Sequence, residues 1–168
     1  MEITVVQGDI AQQEVDAVVN AANNAMRGGG GVDGAIHRAG GPAVLADCIA
    51  RFPDGLATGD AGWTTGGDLP ARWVIHVVGP VHGVGDRSLL TSCYARALEV
   101  ADELGARTVA FPLVSAGVYG WPKDDAIACA LEALHDWQSR PADTSVVEAR
   151  MVAFDHATYE QIRARLTG

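Results

Sequence analysis

Short β-branched runs alternate with helical stretches along this chain, and few folds accommodate such an alternation. The runs are EITVVQGD, VDAVVNAA, ARWVIHVVGP, ARTVAFPLV and EARMVAFD, in that order. Several are apolar on both faces, which is typical of interior strands covered by helices on both sides of a sheet. The pattern predicts an α/β sandwich around a largely parallel or mixed sheet.

Helices are predicted between and after these runs, over residues 33–52, 87–105, 122–138 and 155–168. The first segment holds one helix, or two helices separated at Gly40–Gly41–Pro42. In the second segment, Ser88 is the predicted N-cap and Gly105 the predicted stop. The third segment opens with Pro122 and acidic residues, as helix N-termini do.

Length and charge restrict the partners that this chain can bind. Residues 1–168 are enough for one domain with a sizeable core. The net charge is −9 and no basic run is present, so we expect no nucleic acid as a partner. No apolar run reaches the roughly 18 residues of a membrane span, and the N-terminus does not resemble a signal peptide. We therefore expect a cytoplasmic protein without membrane partners, and a monomer because no long apolar stripe is evident.

Three cysteines, Cys48, Cys93 and Cys129, lack C-x-x-C spacing. Their odd number and their spacing indicate neither a disulfide framework nor a zinc site. Each falls in a helical stretch, so we interpret all of them as small buried hydrophobic residues. We expect no metal ion and no cofactor.

Two unusual loops follow predicted strands. NAANNAMRGGGG, residues 20–31, follows DAVV of the second run and includes its last three residues, and SAGVYGWP, residues 115–122, follows the fourth run. In an open α/β sheet, the ligand crevice lies beyond the carboxyl ends of the strands. Both loops are therefore expected at one edge of the sheet.

The first of these loops contains four consecutive glycines, Gly28–Gly31, before a helical pattern. Glycines let the backbone approach a ligand closely, and a helix N-terminus adds free N–H groups and a partial positive charge. Together they form an anion cradle that needs no lysine, which suits a phosphate in an acidic protein. The lysine of a P-loop is missing. The alternative is a flexible loop without a ligand.

The second loop offers the main-chain N–H groups of residues 115–118 to another phosphate. Tyr119 follows them and can lie against the face of a sugar. The alternative is an ordinary strand-to-helix turn. Two anion-binding loops at one sheet edge together predict a diphosphate ligand.

The segments GDI, DAVVNAANN, GGGGVDGAIHRAGG, LPARWVIHVVGP, CYARAL and AFPLVSAGVYGWP occur in one collinear order. On these motifs the chain resembles the macrodomain family, in particular its MacroD-type branch, over nearly its whole length. The resemblance implies a three-layer α/β/α sandwich with a mixed central sheet that binds ADP-ribose. It also implies a hydrolase that removes mono-ADP-ribose from acidic side chains of proteins, or deacetylates O-acetyl-ADP-ribose.

The resemblance also implies roles for individual residues. Asp9, beside Ile10, is expected to accept a hydrogen bond from the adenine amino group, and Phe154 to pack near adenine. Asn23 is expected to hold hydroxyls of the distal ribose, with Asp33 near the anomeric carbon. The expected catalytic residues are Asn23, Asp33 and His37. Further ligand contacts are expected from Asn20, Gly29, Gly30, Gly31, Val32, Ser115, Ala116, Gly117, Val118 and Tyr119.

Asp33 lies in the first turn of a predicted helix, where the helix dipole favours an ionised carboxylate. A carboxylate stabilised in this way accepts hydrogen bonds but is a weak base. We therefore expect Asp33 mainly to orient water, with a ligand phosphate sharing the proton-accepting role.

Two further polar residues, His37 and Asn20, each allow two interpretations, and a third, His76, is assigned one. His37 lies one turn after Asp33 on the same helix face, where it either contacts the ligand or holds Asp33 in place. Asn20 is either a ligand contact or a scaffold for the loop. His76 lies in an apolar strand, and we expect it to be structural.

Ester hydrolysis needs only an oriented water and a stabilised leaving group, so it requires no nucleophilic Cys or Ser dyad. The competing function is a non-catalytic reader module that binds ADP-ribose without turnover. A scaffold for nucleic acid or poly(ADP-ribose) is a third class, which the acidic composition disfavours. The expected partners are ADP-ribose and ADP-ribosylated proteins.

Overall fold

A six-stranded mixed sheet lies at the centre of the molecule. The computed structural model describes residues 1–140 and 143–168. The strands are β1 (Glu2–Gln7), β2 (Ala17–Ala22), β3 (Ala61–Thr65), β4 (Trp73–Val78), β5 (Thr108–Phe111) and β6 (Glu148–Ala153). Their order across the sheet is β1-β6-β5-β2-β4-β3.

The strands β1, β6, β5, β2 and β4 are parallel to one another, whereas β3 pairs antiparallel with β4. The parallel strands correspond to the five runs predicted from the sequence. β3, with the sequence AGWTT, is absent from that prediction. It is a short edge strand with an internal glycine and no aliphatic run, so it lacks the usual strand signal.

Helices cover both faces of this sheet. They are α1 (Gly31–Gly40), α2 (Pro42–Arg51), α3 (Arg87–Leu104), α4 (Lys123–Gln138) and α5 (His156–Thr167), and a 3₁₀ turn over Ile10–Gln12 follows β1. The first predicted helical segment forms two helices. Gly41, with φ 76°, separates them, and Pro42 takes the first position of α2.

Asp86, and not the predicted Ser88, caps α3. The Asp86 carboxylate accepts a hydrogen bond from the Leu89 N–H at 3.3 Å, whereas Ser88 lies inside the first turn and donates its hydroxyl to Asp86. A carboxylate adds charge attraction to the helix N-terminus, which a hydroxyl cannot supply. Gly105 ends α3 in the left-handed conformation, as predicted.

Alternate side chains of each central strand pack against different helices. On β2, Ala17 and Val19 belong to the core that includes α3 and α4, and Val18 belongs to the core that includes α1 and α2. The two cores confirm the three-layer α/β/α sandwich. Across the described ranges, no helix is both long and apolar enough to cross a bilayer.

The cysteines are free and buried in these cores, as predicted. Burial raises the pKa of the Cys48 and Cys129 thiols to about 11, and that of Cys93 to about 12. All three therefore stay protonated and unreactive at neutral pH.

Candidate functional site

The five parallel strands end at the same edge of the sheet, and the segments that follow them enclose a cleft. We call residues 23–30, after β2, loop 1, and residues 112–122, after β5, loop 2. The cleft consists of a first cavity of about 410 Å³ and a second cavity of about 590 Å³. Both volumes are typical of small-molecule sites, which occupy roughly 300–1,000 Å³.

The first and second cavities adjoin, because four residues line both: Gly31, Val32, Leu113 and Gly117. Gly31 and Val32 begin α1, and the other two belong to loop 2. A ligand that extends from one cavity into the other therefore passes between the N-terminus of α1 and loop 2.

The N-terminus of α1 supplies main-chain donors at this boundary. Gly30 is its N-cap and offers no side chain to the first turn. The Gly34 N–H donates to the Gly30 carbonyl at 3.2 Å, so the N–H groups of residues 31–33 have no intrahelical acceptor. These donors and the helix dipole together favour an anion.

Arg27 and Asn24 hold the first half of loop 1 in place. The Arg27 guanidinium donates at 3.1 to 3.2 Å to the carbonyls of Ala25, Met26, Phe52 and Pro53. The first two carbonyls belong to loop 1 and the last two follow α2, so Arg27 ties these segments together. The Asn24 amide adds a bond to the Leu56 carbonyl at 2.9 Å. The glycines thus follow an anchored segment, unlike those of an unconstrained linker.

Ser115 determines the path of loop 2. It adopts φ 66°, in the left-handed region, and its hydroxyl donates to the Pro80 carbonyl at 2.7 Å. A Cβ added to Gly79 would lie 2.2 Å from the Ser115 hydroxyl oxygen, so this approach requires glycine at position 79. The Ser115 carbonyl accepts from the Trp121 N–H at 3.0 Å. Within the described part of the chain, the N–H groups of residues 115–119 have no protein acceptor.

Asp33 is buried in the wall of the first cavity, with only 5% of its surface exposed. Its Oδ1 accepts a hydrogen bond from Asn20 Nδ2 at 2.7 Å and lies 3.3 Å from His37 Nε2. Its Oδ2 faces Gly29, 3.1 Å from the position that an added Cβ would take there. The protein thus holds one carboxylate oxygen and leaves the other available at the cavity.

Asn23 lines the first cavity beside Asp33. Its Nδ2 donates to the Gly28 carbonyl at 3.1 Å, and its Oδ1 accepts from the Met26 N–H at 3.2 Å. An amide nitrogen carries two hydrogens, so Nδ2 keeps one donor for a ligand hydroxyl. Asn23 therefore shapes loop 1 and can also bind a ligand.

The second cavity has a polar and an apolar wall. Asp9 accepts from the Ala11 N–H at 2.9 Å with Oδ1, which leaves Oδ2 for a ligand donor. Phe154 lines the same cavity and is 87% exposed. An aromatic ring so exposed offers an apolar surface on which a planar ring can stack.

Most of the predicted site residues line this cleft. Those in the first cavity are Asn23, Gly29, Gly30, Gly31, Val32, Asp33, Ser115, Gly117, Val118 and Tyr119. The second cavity adds Asp9, Ile10, Ala116 and Phe154. Asn20 and His37 line neither cavity, and both contact Asp33 Oδ1 from behind. Both of them therefore contact Asp33, and His37 also lines a smaller cavity with Arg27 and Gly28.

Arg38 and Lys123 also line the second cavity, although the sequence did not reveal them. Arg38 shares a face of α1 with Gly31 and Ala35, so helical spacing from the glycines could have indicated it. Lys123 begins α4, where no local pattern separates a ligand contact from a surface lysine. Within residues 1–140 and 143–168, no group of His, Cys, Asp or Glu side chains is arranged to hold a metal ion.

Comparison with known proteins adds independent information on this cleft. The Macro domain family model matches residues 19–130. A macro domain-containing protein of Streptomyces coelicolor is 58% identical over an alignment of 170 positions, gaps included, which covers 98% of each chain. A Pantoea vagans protein named O-acetyl-ADP-ribose deacetylase 1 is 43% identical over 164 residues, which cover 95% of each chain. The crystal structure of the Trypanosoma brucei macrodomain in complex with ADP-ribose is 36% identical and has a TM-score of 0.91, covering 98% of this chain and 69% of that one.

Proposed function

This chain belongs to the Macro domain family, and we propose on that premise that it binds ADP-ribose and hydrolyses ADP-ribose esters. The proposed substrates are proteins that carry mono-ADP-ribose on an acidic side chain, and O-acetyl-ADP-ribose. The name of the Pantoea vagans relative supports the second substrate. The ligands in the Trypanosoma brucei structures, ADP and ADP-ribose, support the nucleotide.

One observation carries the proposal: two sets of main-chain N–H groups that have no acceptor among the described residues flank the boundary between the cavities. One set begins α1 and the other lies in loop 2. A diphosphate at this boundary would accept hydrogen bonds from both sets. Its two ends then extend in opposite directions, with adenosine in the second cavity and the distal ribose in the first.

The second cavity has the groups that adenine requires. An adenine amino group is a donor, and Asp9 Oδ2 is an acceptor at the cavity wall. The exposed ring of Phe154 offers a stacking surface. Arg38 and Lys123 line the same cavity but not the first one.

The chemistry proposed for the first cavity is attack by water at the distal ribose ester. Asp33 Oδ2 accepts a hydrogen bond from this water and orients it, while Asn23 holds a ribose hydroxyl. In the protein ester, the water oxygen bonds to the anomeric carbon of the distal ribose, and the carboxylate of the modified side chain leaves with the electron pair of the broken C–O bond. In O-acetyl-ADP-ribose, the water oxygen bonds to the acetyl carbonyl carbon, and the ribose oxygen leaves with the electron pair of the broken C–O bond and takes up a proton. The water proton passes to Asp33 or to the ligand phosphate.

The competing function is a reader that binds ADP-ribose without turnover. The two oxygens of Asp33 favour the hydrolase, because Asn20 and His37 contact Oδ1 and leave Oδ2 at the first cavity, where it can accept a hydrogen bond from water. A reader would not need an acceptor for water beside the distal ribose.

Release of free ADP-ribose from O-acetyl-ADP-ribose and from a glutamate-modified protein tests this function. For Asp33→Asn we expect kcat to fall by about a hundredfold or more, because the amide offers water no charged acceptor. Asp124→Asn is the matched control, since Asp124 is also acidic, lies in the first turn of α4 and is exposed. Normal turnover by Asp33→Asn would contradict the proposed mechanism, and tight binding without any product would instead support a reader.

A further inference from the structure

A row of buried polar side chains lies behind Asp33. Asn20 on β2, His76 on β4 and Thr64 on β3 are each 0% exposed. Asn20 and His76 are register partners on neighbouring strands. Polar groups at such depth cost free energy unless they bond to one another. Asn20 Nδ2 lies 3.1 Å from His76 Nδ1, and His76 Nε2 lies 2.8 Å from Thr64 Oγ1.

The acceptors at the two ends of this row, the Asp33 carboxylate and the Thr65 carbonyl, determine which atom of each side chain between them carries a proton. Asn20 Nδ2 donates to Asp33 Oδ1 at 2.7 Å and is again the donor toward His76, so His76 Nδ1 must be an unprotonated acceptor. The Thr64 hydroxyl donates to the Thr65 carbonyl at 3.1 Å, so Thr64 Oγ1 accepts from His76 Nε2–H. His76 is therefore the neutral Nε2–H tautomer. A second proton on Nδ1 would place two donors face to face.

The surroundings keep His76 in this neutral form. Burial, and then the neighbouring His37, lower the pKa of His76 to about 3. The centroids of the two imidazole rings are 6.4 Å apart. Because Nδ1 stays unprotonated, it remains available to Asn20 across the neutral pH range.

The His76 Nδ1 acceptor helps to determine the orientation of the Asn20 amide. Asn20 Oδ1 is buried without a hydrogen-bond partner in the described residues, which costs free energy. Rotating the amide by half a turn would place Oδ1 against both the Asp33 carboxylate and the His76 Nδ1 lone pair. Asp33 and His76 together therefore hold Nδ2 in the observed direction.

We propose that His76 is a positioning residue for Asp33, which acts through Asn20, and that Thr64 fixes the His76 tautomer that this role requires. Asn20 holds Asp33 Oδ1, so that Oδ2 faces the first cavity. The catalytic consequence rests on the proposed hydrolase function, whereas the hydrogen-bond chain does not depend on it.

Two substitutions of similar size separate this role from simple packing. Thr64→Val removes the oxygen acceptor of His76 Nε2–H and keeps the volume, leaving only the weak acceptor Cys48 Sγ at 3.7 Å among the described contacts, whereas Thr64→Ser keeps the oxygen. For Thr64→Val we expect kcat with O-acetyl-ADP-ribose to fall by about tenfold or more, and for Thr64→Ser by less than about threefold. The Kd for ADP-ribose should stay within about threefold of wild type in both variants, because neither diphosphate loop is changed. Equal kcat values in the two variants would overturn the proposal.

A second measurement is independent of turnover and of whether Thr64→Val folds. Nitrogen-15 NMR of the histidine rings in the wild-type protein reports the tautomer of His76 directly. We expect Nε2–H with an unprotonated Nδ1, and the Nδ1–H tautomer or a charged ring at neutral pH would overturn the proposal. If wild type binds ADP-ribose without turnover, the proposed hydrolase function fails. A spectrum that reports the Nε2–H tautomer of His76 would in that case still support the hydrogen-bond chain from Thr64 to Asp33.

Discussion

Gly29 in loop 1 lies close to the side chains of Asp33 and Asn23, both of which line the first cavity. A Cβ added to Gly29 would lie 3.1 Å from Asp33 Oδ2 and 3.3 Å from Asn23 Nδ2. For Gly29→Ala we therefore expect kcat to fall by about tenfold with little change in thermal stability, because the methyl group displaces the reacting groups. Turnover kinetics and a thermal melt of the same sample measure both effects.

Gly30→Ala is the control for this substitution. An added Cβ at Gly30 meets no atom within 4 Å, so it leaves Asp33 and Asn23 in place. We expect its effect on kcat to be smaller than that of Gly29→Ala. Equal losses of kcat in the two variants would show that any side chain in loop 1 is harmful, whatever it contacts.

The buried imidazole of His76 makes stability depend on pH. Its pKa in the folded protein is about 3, against 6.5 for the unperturbed group. Below about pH 6.5 the unfolded chain therefore takes up a proton that the folded protein does not, and the free energy of unfolding decreases as the pH falls. This group alone should remove about 2 kcal/mol between pH 7 and pH 5.

Urea denaturation of wild type and His76→Gln at both pH values isolates this effect, because every other titrating group is common to both proteins. The stability difference between the two proteins should change by about 2 kcal/mol over this interval, in the direction that penalises wild type at pH 5. A difference that does not vary with pH would mean that the pKa of His76 is the same in the folded protein and in the unfolded chain.

Among the connecting elements, loop 1 depends on Arg27 for its attachment to the turn after α2. The guanidinium bonds to four carbonyls, and Arg27→Met would remove all of these bonds. We expect the Kd for ADP-ribose to rise by about five- to tenfold, since the loop must then be ordered upon binding, at a cost of about 1 kcal/mol. Calorimetry measures the Kd, and hydrogen exchange measures the order of residues 23–30.

Arg51→Met is the matched control for Arg27→Met. Arg51 ends α2 and pairs with Asp47 at 2.9 Å, with its guanidinium over the Trp63 ring. It has no hydrogen bond to loop 1 among the described contacts, so its loss should leave the Kd unchanged. A similar Kd increase in both variants would contradict a specific role for Arg27.

The molecule as a whole carries a net negative charge, and its proposed ligand is also an anion. The net charge of −9 repels a diphosphate at long range, whereas the proposed donors are uncharged amides. Added salt screens the repulsion and removes little attraction. We therefore expect the Kd for ADP-ribose to stay constant or to fall slightly between about 50 and 500 mM NaCl. A Kd that rises about tenfold over this range would indicate that Arg38 and Lys123 hold the phosphates.

The elements of the fold that could be predicted are those whose own residues indicate a strand or a helix. Aliphatic runs identify strands that are covered on both sides, and all five parallel strands have them. β3 forms because β4 offers it an open edge, and no feature of AGWTT encodes that neighbour. The prediction of Ser88 as the cap of α3 is wrong for a related reason, since Asp86 and Ser88 both suit an N-cap and only the residue at which the helical backbone begins selects between them.

The candidate site divides in the same way. The residues of loops 1 and 2 could be predicted because glycines and small residues after strands have a direct physical meaning. The contact of His37 with Asp33 was one of the predicted alternatives, because the two residues are one turn apart on α1. The contact of Asn20 with Asp33 could not be predicted, because it follows from the packing of α1 on β2. The row from Asn20 to Thr64 crosses β2, β4 and β3, and it depends on the register in which these strands pair, so no spacing rule identifies it.

The N–H groups at the start of α1 and in loop 2 belong to the peptide bond and not to any side chain. They cannot be deprotonated at physiological pH, oxidised or acetylated, and almost every amino acid supplies the same donor. The side chains at the rim of the cleft, and with them the choice of modified protein, can therefore change in evolution without loss of the main-chain hydrogen bonds to the nucleotide. What it must preserve is the path of two turns, which makes this recognition a property of backbone shape.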